Sequence, residues 1–131
     1  FFCGVGEQVD FYMTMQLYHD HTQNIDHLID EFFTLYFGEA AAPMQAFYTL
    51  IEETYSDPKN WDQNGGHHQT EPWAWETLGT ETRMSKLKAL IMEAEAIAET
   101  TSPTVRTRVA RWKHGVWDYM EAGREAYFAK K

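Results

Sequence analysis

From Ile25 to Tyr55 the apolar residues keep helical time almost without interruption. Ile25, Leu28, Ile29, Phe32, Phe33 and Tyr36 follow i, i+3, i+4, i+7, i+8, i+11, the stripe of a helix with one broad buried face. Gly38 breaks it. Met44, Phe47, Tyr48, Ile51 and Tyr55 then take up the same period. Asn24 supplies an N-cap oxygen, and Asp26 places negative charge where the helix dipole favours it. Gly38 is suited to a left-handed residue that ends the first helix, and Pro43 is tolerable only in the first turn of the second. Two such helices joined by so short a link form an antiparallel hairpin. Its aromatics, each bringing about 150–250 Å² of surface, are accounted for as core.

The same reading extends along the chain. Residues 7–19 form a shorter helix with Val9, Tyr12 or Met13, and Gln16 or Leu17 inward. Residues 80–99 form a long one, capped by Thr80, with Met84, Leu87, Leu90, Ile91, Ala94, Ile97 and Ala98 on one face. Ser102 and Pro103 start the last helix. There Val105, Val109, Trp112, Val116, Tyr119, Gly123 and Ala126 make a heptad seam, which buries Val109, Trp112 and Val116 and exposes Arg108 and Lys113. No strand pattern or repeat intervenes. The fold expected is all-α: an antiparallel bundle of about four main helices plus a short one, a single domain over residues 1–131.

Composition narrows the function. At 44% hydrophobic the chain supports a packed core, yet no apolar run approaches the roughly 20 residues that span a bilayer. Residues 1–105 hold 17 of the 20 acids and 4 of the 11 bases, net −13; residues 106–131 are net +4. A basic last helix docked beside acidic neighbours explains that split better than a nucleic-acid face. Cys3 is the sole cysteine and excludes an internal disulfide. Phe1-Phe2-Cys3-Gly4 has no initiator methionine or basic leader, and reads as a cut inside a longer protein, the alternative being a mature end left by processing.

Candidate chemistry is sparse. Of the six histidines, His19, His21, His27, His67, His68 and His114, none pairs at i, i+4 as a helical zinc site would, so no metal is expected. Asp30, Glu31 and Glu53 fall on outer helix faces and Glu52 flanks the apolar stripe of its own helix; no catalytic residue and no cofactor fingerprint emerges. Residues 57–72 read as a loop marked by Asp57-Pro58, Asn64-Gly65-Gly66 and Pro72. Residues 60–79 are the most unusual stretch. Trp61, Trp73 and Trp75 stand among Asp62, Glu71 and Glu76, and flat aromatics beside carboxylates suit the apolar faces and hydroxyls of sugar rings. The simpler reading, which is preferred, is that Trp73 and Trp75 anchor that loop to the bundle.

The stretch NIDHLIDEFFTLYFGEAAAPMQAFYTLIEE, with Phe32-Phe33, Tyr36-Phe37-Gly38, Ala40-Ala41 and Tyr48, resembles the helical region behind the TIM barrel of certain bacterial glycoside hydrolases. That family was long known only as a domain of unknown function, and part of it is placed among endo-β-N-acetylglucosaminidases. WETLGTETRMSKLKALIMEAEAIA, GVWDYMEAGREAY and FYMTMQLYHDHTQN agree with it. Phe37 departs from it, standing where tyrosine is more usual. The resemblance implies a helical C-terminal domain that buttresses an upstream barrel absent from this chain. It also implies that the catalytic carboxylates lie on that barrel, that the parent enzyme is often exported, and that a glycan is the partner. The alternative is a free-standing helical protein-interaction module.

Overall fold

The computed structural model describes residues 4–61 and 69–131. Those residues fold into an all-α antiparallel bundle with no strand among them. A 3-10 turn, Val5–Glu7, leads into α1 (Gln8–His19). Then come α2 (Ile25–Phe37), a 3-10 link Gly38–Ala40, and α3 (Ala41–Ser56). A 3-10 turn Pro58–Asn60 and a π-helical turn Trp73–Leu78 precede α4 (Glu81–Glu99). The chain finishes in one rod: α5 (Pro103–Trp112), a π-helical segment Lys113–Trp117, and α6 (Asp118–Ala129). α2 packs on α1, α3 and α5, and α4 packs on α3 and α5.

Three helix starts follow directly from the caps. The side chains of Asn24, Thr80 and Ser102 accept from the backbone N–H of His27, Arg83 and Val105 respectively. Gly38 has φ 52° and ψ −121°. Positive φ is what glycine was needed for, but ψ lies outside the left-handed helix. The chain therefore turns straight into the 3-10 link rather than closing a left-handed C-terminal motif.

The aromatic hairpin is the core. Phe33, Phe37, Met44 and Phe47 are wholly buried. Trp112 from α5 meets Phe33 and Phe37 edge-on at centroid distances of 6.0 and 5.4 Å. Its indole N–H donates to Gln8 Oε1 at 3.1 Å, which ties the last rod to α1. The ends of both hairpin stripes escape: Ile25 and Tyr55 are exposed. Glu31, expected outside, is half-buried and accepts from the Tyr12 hydroxyl, because α1 covers that flank of α2.

The last rod corrects the heptad reading. Val105, Val109 and Trp112 are buried as expected, but Val116 is only half-buried and Tyr119 is 76% exposed. The π segment inserts one extra residue into the turn, so the inward position after Trp112 is Trp117, five residues on. Met120 and Tyr127 then take the positions expected of Tyr119 and Ala126. Burying two tryptophans outweighs one irregular turn, since each removes about 150–250 Å² from water. Gly115 makes room at the bend: a Cβ there would lie 2.8 Å from Val5 Cγ2. Arg108 and Lys113, expected exposed, are half-buried. Arg108 caps the end of α2, and Lys113 reaches Asp118 at 3.2 Å.

Candidate functional site

The end of α3 builds an aromatic corner. Asp57 accepts from Lys59 N–H at 3.0 Å and starts the 3-10 turn. That turn buries Asn60, whose Nδ2 donates to Thr54 O at 2.7 Å. Trp73 Nε1 donates to Asn60 O, and Trp61 Nε1 to Tyr55 O, at 2.7 and 2.6 Å. Two indoles are thus satisfied by carbonyls and hold their rings together, with centroids 4.6 Å apart. Tyr55 meets Trp61 edge-on at 5.1 Å.

Beside this corner lies an apolar hollow of about 110 Å³. Leu50, Ile51, Leu78, Leu87 and Met120 line it, and Tyr55 and Arg83 stand at its border with the corner. The volume is of the order of an engineered apolar cavity of about 150 Å³ that admits a benzene-sized group. The Arg83 guanidinium is fixed by the carbonyls of Thr77 and Leu78, and reaches toward Asn60 Oδ1 at 3.5 Å. The hollow presents an apolar lining with the Arg83 guanidinium already engaged by carbonyls, and can hold a ring or a small alkyl group.

The five residues singled out from sequence divide into two groups. Trp61 and Trp73 meet in the corner: Trp73 is buried, as anchoring requires, and Trp61 is partly exposed. Trp75, Glu71 and Glu76 belong instead to a seam with the end of α6. Trp75 packs on Gly123, Glu71 pairs with Lys130 at 3.7 Å, and Glu76 accepts from Tyr127 and Lys131. The hydrogen bond from Lys131, then that from Tyr127, holds the Glu76 carboxyl below its usual range. A general acid needs the opposite shift, so Glu76 is an ionised acceptor there. Asp62, Gly65, Gly66, His67 and His68 lie outside the described residues.

Tyr55, Asn60 and Arg83 are site members that the sequence pattern did not single out. Arg83 carried a signal: a cation in the first turn of a helix opposes the dipole, so it needed another reason to be there. Among the described residues no group of three or more His, Cys, Asp or Glu stands close enough to hold a metal ion. Among them, too, no helix is long and apolar enough to cross a membrane. No protein-family model, curated protein or solved structure matches this chain.

Proposed function

We propose that this bundle is the helical C-terminal domain of a glycan-degrading glycoside hydrolase, buttressing a catalytic barrel upstream and lending the Trp61–Trp73 corner to its substrate cleft. The observation that carries the reading is the two-sidedness of α1. Its inner face, Val9, Tyr12 and Met13, packs on the bundle. Its outer face presents Phe11, Met15 and Tyr18, at 49, 56 and 91% exposure. These follow i, i+4, i+7, centred about 150° from the inner stripe. A helix apolar on both sides is built to be covered on both sides. The resemblance of residues 24–53 supplies the barrel as its cover. A free-standing interaction module uses the same α1 face, and the residues encoded before Phe1 discriminate: a barrel there supports the first reading.

The test is Met15→Asp with Tyr18→Asp in the full gene product. Both positions are solvent-facing in the bundle, so its own melting falls only slightly, by the small cost of two acids near the C-terminal end of α1. The full product loses thermal stability and glycan hydrolysis together. Unchanged activity in the full product removes the buttress reading.

A further inference from the structure

The bases of residues 106–131 sort into two sets. On and after the π segment, Lys113, Arg124, Lys130 and Lys131 pair with Asp118, Glu81, Glu71 and Glu76. Arg106, Arg108 and Arg111 of α5 pair with no carboxylate among the described residues. Direct ion pairs thus gather on the second half of the rod, while on α5 Arg106 lies beside Glu95 and Glu99 of α4 without a direct carboxylate contact. Thr104, Thr107, Arg108 and Arg111 follow i, i+3, i+4, i+7 and share one face of α5. With Tyr36 and Pro103 they line a shallow, open groove of about 480 Å³.

The groove is partly preorganised. Phe32 stacks on Tyr36 at 5.2 Å, and the Arg108 guanidinium lies over the Tyr36 ring at 4.5 Å. Arg108 Nη1 donates to Tyr36 O at 2.9 Å and to Leu35 O at 3.4 Å. The guanidinium is therefore held over the ring and anchored through one nitrogen. Its Nε and Nη2 have no partner among the described residues, and Arg111 stands one turn away, exposed. A planar guanidinium with two free donors matches an oxyanion bidentately.

We propose that this groove binds a saccharide bearing an oxyanion of the uronate kind. Arg108 and Arg111 take the carboxylate, while the hydroxyls of Thr104 and Thr107 meet ring hydroxyls. Thr107 Oγ1 already donates to Pro103 O at 2.9 Å and so presents its acceptor side. A protein interface of this size centres on buried apolar anchors. This lining is guanidinium, hydroxyl and phenol, with Pro103 as its apolar member, which favours a small polyol over a peptide. The oxyanion part rests on the groove alone, and the saccharide part rests on the glycan reading above.

The experiment is calorimetric titration of the chain with a galacturonate trisaccharide, a neutral galactose trisaccharide and poly-glutamate. The uronate binds, the neutral sugar does not, and raising the salt weakens binding. Arg111→Ala lowers the affinity about tenfold, as loss of one charged hydrogen bond dictates. Arg106→Ala, on another face of α5, changes it less than about twofold. Arg111 is exposed and has no carboxylate partner among the described residues, so its substitution leaves the fold intact, as circular dichroism checks. No uronate binding, equal losses in the two arginine variants, or equal binding of poly-glutamate would overturn the assignment. Absence of uronate binding beside intact glycan hydrolysis by the full gene product sinks this inference alone.

Discussion

Tyr48 shows what one residue's surroundings do. It is half-buried against the aromatic hairpin, and burial, then the charges of Glu52 and Asp10, push its phenol from 10.0 up to about 12. The same pocket raises the Glu52 carboxyl, through desolvation and then Asp10. The folded chain keeps a phenolic proton that the unfolded chain gives up. This contribution to stability is complete below pH 10 and is lost as pH rises through about 12. Tyr48→Phe removes the dependence: the wild type loses stability relative to the variant between these limits, measured by urea unfolding at each pH. Ultraviolet titration in which all seven tyrosines ionise together near 10 contradicts this placement. Site residues were less legible than core residues at this scale. Tyr55 carried the signature of a core tyrosine because it continues the α3 stripe, and only the end of the helix frees it. Trp73 and Trp61 have the same side chain and similar neighbours in sequence. What separates them is a hydrogen bond to Asn60 and another to Tyr55, contacts that no local pattern encodes.

Among elements, capping chemistry was legible and helix interior geometry was not. Asn24, Thr80 and Ser102 act within three residues of themselves, so their roles are written locally. The π segment is not. It exists because Trp112 and Trp117 both gain by facing inward and because Val5, far earlier in the chain, passes over Gly115. Two substitutions read this register. Trp112→Ala costs about 3–5 kcal/mol, as for a large core side chain. Tyr119→Ala stays within about 0.5 kcal/mol, as at an ordinary surface site. Chemical denaturation giving Tyr119 a core-sized cost restores the unbroken heptad. Gly123 tests the seam between α6 and the π turn at Trp73–Leu78. A Cβ there would stand 2.7 Å from Trp75 Cζ2. Gly123→Ala therefore destabilises by about 1–3 kcal/mol through overpacking, where an open helix site gains about 1 kcal/mol from the same change. A stabilised variant in a thermal melt means that Trp75 does not pack against α6.

For the molecule as a whole, the bundle separates its surfaces by character. The core lies between α2, α3, α4 and α5, with α1 laid across α2. An aromatic corner and apolar hollow mark the end of α3, arginines with no carboxylate partner among the described residues mark α5, and an apolar stripe faces outward from α1. Glycoside hydrolysis generally needs carboxylates about 5–9.5 Å apart across the scissile bond, with the acid's pKa raised. Glu71 and Glu76 are committed to Lys130, Lys131 and Tyr127 instead, and Glu76 is shifted the wrong way for an acid. On the proposed reading this chain positions and does not cleave. The direct measurement is sugar released from complex N-glycans and aryl N-acetylglucosaminides, by the purified chain and by the full gene product side by side. The account predicts no turnover by the chain and turnover by the full product. Turnover by the chain alone that disappears in Glu71→Gln or Glu76→Gln would contradict it and put an active site in this bundle.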